Sequence, residues 1–440
     1  MTPPTLPFRE VAGALVPGGD VQSVPGVRVG SAERTAGGWL TGTTAIVAPP
    51  GAVAGRDVRG GGPATHETDV LVPGTHSSAV DALVLTGGSA WGLAAAGGVQ
   101  QGLAADGRGF PAPGLPGAFV PIVPAAAVYD LGRGDGTVRH PDAELGLAAH
   151  RAATAASAPL RRGSVGAGTG AFIGRGLLRG GLGSVCLRTP TGRLVAAIVA
   201  ANPMGDVLEP SGRLHAAGVL SRMGAELPSA PADWVERALE IDSAARRDPS
   251  LSAALRESDA SGDATRGNTT IAVIVTDAPL DSAQTTRLAQ SAQAGLARAI
   301  HPSHTLADGD TVFALSTGGA AAGGDAAAIG GAAAGGMSRQ PYEPLDPLDL
   351  LMLNSAAADA LSLAIVDAAL SAVPHPAGPQ DASEVLHGDG SAGGEPAVPR
   401  GTAAARLPRP AALRQIAPEL AEAWSRLRAD GTASATGSPS

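Results

Sequence analysis

The sequence predicts a sheet-rich globular body in which strands and helices share the chain, and three observations predict it. Short apolar runs, many of them β-branched, recur along the chain and end at Gly or Pro. The 62 glycines and 36 prolines lie in short clusters between those runs and follow no collagen-like period. Hydrophobic residues make up 44% of the chain but aromatics only 2%, so the core must be packed from Ala, Val, Leu and Ile, with close backbone approach as the result. At 440 residues the chain exceeds the size at which one core keeps growing, and one large domain or two intimately joined ones are expected, with peripheral extensions.

Residues 1–225 form the first part, with strand-like runs at 43–47, 81–85, 119–123, 183–187 and 194–200 and helices at 90–103 and 143–156. From 226 to 268 the composition turns to Ala, Ser, Asp and Arg, with a helical patch at 233–241 and a polar end at 258–266. This stretch reads as an exposed connector. Residues 269–275 are an apolar, β-branched run typical of a strand buried on both faces. Leu280, Leu288, Ala292, Leu296 and Ala299 then fall at helical spacing. A strand at 311–317, a Gly/Ala stretch at 318–336 and a helix at 348–373 complete this second part, 269–373. Residues 374–440 are a Pro/Gly/Ala-rich tail. Its one short helix starts at Pro418, which suits a first turn, and the stripe of Leu420, Trp424 and Leu427 suits a helix docked on the body or unpaired in solution more than one that binds a partner.

The sequence contains no lysine, so its 31 basic side chains are all arginine. The net charge of -9 is spread without long blocks of one sign, and nucleic acid is not an expected partner. Cys186 stands alone, which excludes an internal disulfide and a cysteine-based metal site, and reads as a small core residue. The first ten residues lack a basic segment followed by an apolar one, and no run of eighteen or more apolar residues occurs, so no membrane is expected and the cytoplasm is the expected location.

Three motifs are generic. Gly166-Ala167-Gly168-Thr169-Gly170-Ala171 has the outline of a dinucleotide turn, but the residues after it are interrupted by Gly and do not form the required helix. Ser89 lies between a strand and a helix, yet Trp91 stands where a nucleophile elbow needs Gly, and a serine capping a helix fits better. His301 and His304 flank Pro302 with no third ligand beside them and read as a surface turn.

Gly267-Asn268-Thr269-Thr270 carries more chemistry, because it joins a polar connector to a buried strand. A threonine hydroxyl is a poor nucleophile without a base beside it, and a chain-terminal threonine carries its own base in its α-amino group. That amine has an unperturbed pKa of about 7.7–8.0, suited to proton transfer near neutral pH. A cut between Asn268 and Thr269 would create such a terminus; the plain alternative is the start of a strand.

With Ile271, these residues resemble the C-terminal half of the DmpA-type family of L-aminopeptidase/D-esterases, β-aminopeptidases and 6-aminohexanoate-oligomer hydrolases. So do Thr276-Asp277-Ala278, Gly295-Leu296-Ala297-Arg298-Ala299-Ile300 and Asp308-Gly309-Asp310-Thr311-Val312-Phe313-Ala314. In the N-terminal half the resemblance rests on Asp57-Val58-Arg59-Gly60-Gly61, Glu67-Thr68, Leu85-Thr86-Gly87-Gly88-Ser89-Ala90, Val120-Pro121-Ile122-Val123-Pro124, Tyr129-Asp130-Leu131, Gly166-Ala167-Gly168-Thr169-Gly170 and Ala201-Asn202-Pro203. It spans roughly residues 26–373, omitting the connector.

The resemblance implies an α+β fold, a four-layer αββα sandwich, whose precursor cuts itself before a Ser or Thr into two associated pieces that form a homo-oligomer. On matching positions, Thr269 is the nucleophile and new N-terminus, and Asp308 and Asp310 hydrogen-bond the nucleophile and its amine. Separated by one residue, the two acids would share a side of an extended segment. Asn202 is the oxyanion-binding amide and Tyr129 lines the same pocket. Arg175 stands where relatives often carry lysine; it keeps the charge but cannot serve in proton transfer, which leaves an electrostatic or substrate-anchoring role. The implied activity is hydrolysis of amide or ester bonds in short peptides or amino-acid oligomers through an acyl-enzyme, with no cofactor or metal. Two other readings share the sequence: an acyltransferase of the ornithine acetyltransferase type, and a non-catalytic scaffold of the same fold. A competing amine in the assay separates the first, and retention of Thr269, Asn202, Asp308 and Asp310 argues against the second.

Overall fold

The strand Thr269–Thr276 carries no charged residue and is buried along its whole length, so it must have neighbours on both edges and cover on both faces. The structure, a computed structural model, describes residues 13–75, 79–155, 159–241, 267–318, 345–374 and 410–431. In it this strand lies inside a six-stranded sheet of spatial order Ala14–Leu15, Gly181–Arg188, Leu194–Asn202, Thr269–Thr276, Thr311–Ser316, Val53–Val58. Neighbours run antiparallel except Thr269–Thr276 and Thr311–Ser316. A parallel pair needs a crossover, and the helix Ser282–Ala299 supplies it. A second sheet has the order Arg28–Arg34, Thr41–Val47, Ala82–Thr86, Ala125–Ala127, Thr65–His66.

Alternation along the strands sorts the core into layers. Ile271, Val273 and Val275 meet Ile198, Phe313, Leu83 and Leu85 between the two sheets. Ala272 and Ile274 face the other way, into a core shared with Leu296 and Ile365 of the helices Ser282–Ala299 and Pro347–Ser371. On the outer face of the smaller sheet, Val47 and Val84 pack with Val99 and Ala149 of the helices Ala95–Ala105 and Ala143–Thr154. The result is the αββα sandwich, in four layers. Two glycines show why the core is built small. A Cβ on Gly30 would come within 2.2 Å of Ala149 O, and one on Gly183 within 2.1 Å of Ala364 O, so strand backbone lies directly on helix backbone at both places.

Several elements differ from the sequence expectation. Of 119–123 only Phe119–Val120 is extended; the strand that joins the sheet is Ala125–Ala127, because Pro121 and Pro124 have no N–H to give a ladder. The helix expected at 90–103 is broken into Ser89–Gly92 and Ala95–Ala105. Arg28–Arg34 and Val53–Val58 are additional strands. The described part of the connector, 226–241, is largely exposed, but it is anchored: Trp234 and Ala238 of the helix Trp234–Ile241 are buried, and the Trp234 indole N–H donates to Glu209 O at 3.1 Å. Residues 242–266 and 319–344 lie outside the described residues.

The tail's helix, Pro418–Asp430, docks on the body through Leu420, Trp424 and Leu427. Pro347–Ser371 is long and apolar enough to cross a membrane by length and composition, and it is mostly buried against the larger sheet with Asp359 and Asp367 on it. Cys186 sits between the sheets, where burial pushes its thiol up to about 12.

Candidate active site

Strand pairing brings the predicted residues together. In the antiparallel register of Leu194–Asn202 with Thr269–Thr276, Asn202 stands opposite Thr269. On the other edge, Asn268 forms a parallel bridge with Asp308, just before the ladder that pairs Ile271 with Thr311. Pro203 cannot continue a ladder, so the sheet ends beside Asn202 and its side chain lies at the rim. Thr269, Asn202, Asp308 and Asp310 are all buried.

The carbonyl of Asn268 accepts the Gly309 N–H at 3.0 Å and is also touched by the Thr269 hydroxyl. The hydroxyl is thus folded back on the peptide bond that precedes it. Gly309 leaves room for this: a Cβ there would come within 2.8 Å of Thr269 Oγ1 and 2.7 Å of Gly62 O. Residues 59–62 form the floor beneath the acids. Arg59 and Gly60 N–H donate to Asp310 O at 3.0 and 3.2 Å, and Gly62 N–H donates to Asp308 O at 2.9 Å.

The two acids have separate partners. Asp310 Oδ1 accepts the Thr270 N–H at 2.8 Å, and its Oδ2 accepts from the His304 N–H at 3.1 Å and meets His304 Nδ1 at 2.9 Å. Asp308 Oδ1 accepts the Met204 N–H at 3.1 Å, and its Oδ2 accepts the Thr305 N–H and hydroxyl at 3.0 and 2.6 Å. Burial, and then the neighbouring Asp310, push the Asp308 carboxyl above the usual carboxylate range.

On the opposite side, Asn202 Oδ1 accepts the Phe172 N–H at 3.0 Å and a hydrogen bond from the Arg133 guanidinium. Two donors on one atom identify it as the oxygen, so the amide nitrogen is the end that faces Tyr129 O, at 3.3 Å. Arg133 also lies over the Phe172 ring, 4.3 Å from its centroid. The half-buried Tyr129 ring packs on the backbone at Gly267, where a Cβ would meet it at 2.6 Å. Its neighbour Asp130 is fully buried, accepts the Gly88 N–H at 2.6 Å, and is raised by burial to about 6.

Arg175 is exposed in a left-handed turn between Phe172–Ile173 and Leu178–Arg179. The guanidinium set on Asn202 is that of Arg133, a residue the sequence reading passed over inside a Gly-rich segment. Thr305 was passed over too, and His304, read as part of a surface turn, was given no role in the site; the signal available for both was their place within six residues of Asp310. The Gly-rich motif offers no phosphate cradle, since Gly166 N–H donates to Glu33 Oε2 and Ala167 N–H to Thr44 Oγ1, both at 3.1 Å. Among the described residues no group of three or more His, Cys, Asp or Glu is arranged to hold a metal ion.

Comparison with known proteins places the chain in a family and agrees with the fold. The family model of peptidase family S58 matches residues 20–380. An uncharacterised aminopeptidase of Mycobacterium leprae is 40% identical over 317 residues, covering 70% of this chain and 80% of that protein. A 6-aminohexanoate-oligomer endohydrolase of Kocuria sp. is 30% identical over 300 residues, covering 67% and 73%. Among solved structures, a β-aminopeptidase of Burkholderia sp. superposes with a TM-score of 0.56 at 24% identity, covering 84% of this chain and 92% of its own. The L-aminopeptidase D-Ala-esterase/amidase of Ochrobactrum anthropi, described as a variant of the Ntn hydrolase fold, gives 0.56 at 19% identity, covering 83% and 90%. The sandwich, the strand pairing at Thr269 and these relatives lead to one assignment: the chain belongs to peptidase family S58, hydrolases of the N-terminal-nucleophile fold.

Proposed function

We propose that this protein is a self-processing aminopeptidase or oligomer hydrolase in which Thr269 first cuts the Asn268-Thr269 bond and then serves as the nucleophile. The observation that supports this most is the Asn268 carbonyl, touched by the Thr269 hydroxyl on one side and holding the Gly309 N–H on the other. As Thr269 Oγ1 attacks the Asn268 carbon, negative charge gathers on that carbonyl oxygen, where a fixed N–H is worth most. The acyl group passes from nitrogen to oxygen, which frees the Thr269 amine, and water then hydrolyses the ester to release the Asn268 carboxylate and the Thr269 hydroxyl.

In the second reaction the hydroxyl attacks a substrate amide or ester, its proton passes to the Thr269 amine and from there to the departing amine or alcohol, and water hydrolyses the acyl-enzyme. On one side of Thr269, Asp310 and Asp308 stabilise the ammonium so formed, and on the other Asn202 donates its amide to the substrate oxyanion. Tyr129 lines the pocket and Arg175 offers charge for anchoring substrate at the rim. The relatives' names favour short peptides or amino-acid oligomers as substrates.

The two pieces stay together on this reading. The strands Thr269–Thr276 and Thr311–Ser316 of the second piece are flanked in the sheet by Leu194–Asn202 and Val53–Val58 of the first. Separation would expose both faces of a buried strand. A homo-oligomer of such pairs, located in the cytoplasm, is part of the same proposal. Intact-mass measurement under denaturing conditions tests it: wild type should give fragments of 268 and 172 residues, and Thr269→Ala should remain whole. A cut Thr269→Ala protein, or an uncut wild type that hydrolyses amides, would sink the assignment.

A further inference from the structure

One turn sorts the two acids of the site. His304 and Thr305 are consecutive, yet His304 gives both its N–H and its ring Nδ1 to Asp310 Oδ2, while Thr305 gives its N–H and hydroxyl to Asp308 Oδ2. His304 does so from a left-handed backbone conformation, φ 56°, which an L-residue with a side chain adopts only at a cost. Such a conformation persists where surrounding contacts over-determine it. Here those contacts are the two bonds to a single carboxylate oxygen.

We propose that His304 is the positioning residue of Asp310. An ionised carboxylate only accepts, so Nδ1 carries the proton and donates. With Oδ2 held by this imidazole, Oδ1 is turned to the backbone at Thr270, one residue from the nucleophile. His304 also lines a cleft of about 580 Å³ together with Arg59, Arg287 and Arg298, so it stands between that basic cleft and Asp310. The proposal rests on the role of Asp310 in the Thr269 reading, and it assigns the imidazole an orienting task, with no contact to substrate.

Kinetics on equal amounts of processed protein test it. His304→Gly keeps the backbone conformation and the N–H bond and loses only the imidazole. It should lower kcat roughly 10- to 100-fold with KM little changed, the range seen when an orienting partner is removed. His304→Asn should recover most of that loss, because its amide nitrogen sits near the Nδ1 position and Asn tolerates the left-handed region. In a double-mutant cycle, His304→Gly and Asp310→Asn together should cost little more than Asp310→Asn alone. Wild-type kcat in His304→Gly, an Asn variant as slow as the Gly variant, or additive losses would each overturn the proposal. The cycle reads the coupling of His304 to Asp310 whichever residue attacks, so its outcome is separate from that of the mass test of Thr269.

Discussion

Asp367 and Asp310 are both buried, and their surroundings differ in what they supply. Asp367 is met by the guanidinium groups of Arg162 and Arg428, with Arg428 Nη1 3.0 Å from Oδ2, and by the indole N–H of Trp424 at 2.9 Å and the N–H of Ser184 at 2.9 Å. Those partners come from a loop, the tail helix and a strand, so the carboxylate fastens residues far apart in sequence. Asp310 and Asp308 are met by amides, a hydroxyl and an imidazole. Full cations neutralise the first acid and make it a fastening. Among the described residues the second pair has no cation on it, and burial, together with the repulsion between the two acids, lifts Asp308, a condition that suits the proton chemistry proposed for the site.

The comparison breaks most readily at Asp367. Asp367→Ala leaves Arg428 and Arg162 facing a vacated buried site, and should lower stability by about 3–5 kcal/mol while activity per folded molecule is unchanged. Urea unfolding in the uncut Thr269→Ala background measures it; a loss below about 1 kcal/mol would erase the contrast. Asp310→Asn should do the reverse. It keeps the shape but cannot stabilise an ammonium, so kcat should fall on the order of a hundredfold, with KM and the unfolding midpoint close to wild type. A raised KM at wild-type kcat would make Asp310 a substrate-binding residue.

Asp130 sharpens the comparison, since its fully buried carboxyl is raised from its ordinary 3.8 to about 6. The folded chain then holds this proton more tightly than the unfolded chain. The group's contribution to stability is fully present below about 4 and is lost as pH rises through about 6. Asp130→Asn removes that loss, so its stability relative to the parent should improve between pH 4.5 and 7.5 by about 2 kcal/mol. Paired urea titrations at the two pH values read this, and an unchanged difference would refute the assignment. The smallest effect is expected of Trp424→Phe, which keeps an aromatic ring in the core and removes one N–H bond to Asp367. A loss of about 1–2 kcal/mol is expected in the same unfolding assay, against none if the tail helix is merely resting on the body.

Much of the fold was legible where burial writes a local pattern. The run at 269–275 could only be an interior strand, and the alternation of Asp308 and Asp310 placed both on one short extended segment. Arg28–Arg34 was missed because an edge strand bearing Arg28, Glu33 and Arg34 lacks the apolar run of an interior one. The tail helix was legible as amphipathic, yet its tie to Asp367 was not, since Arg428 and Asp367 meet only through the tertiary fold.

Within the site, the residues that touch Thr269 along the sheet followed from motif position. Those that hold them did not: Arg133 reaches Asn202 from a loop, and His304, weighed only as a metal ligand, turns out to be spaced for a carboxylate. A left-handed histidine is a property of the folded backbone, and nothing in the local composition announces it.

The all-arginine composition has a chemical consequence for a protein of this kind. Guanidinium groups stay protonated and do not react with mild acylating or reductive-methylating reagents, and with no lysine in the sequence its primary amines are N-terminal α-amino groups alone. An uncut chain would carry one such group, and cutting before Thr269 would add one more, buried between Asn202 and the Asp308 segment. Amine labelling, ordinarily blurred by a surface full of lysines, would here count processing events and report on the shielding of a single nitrogen atom.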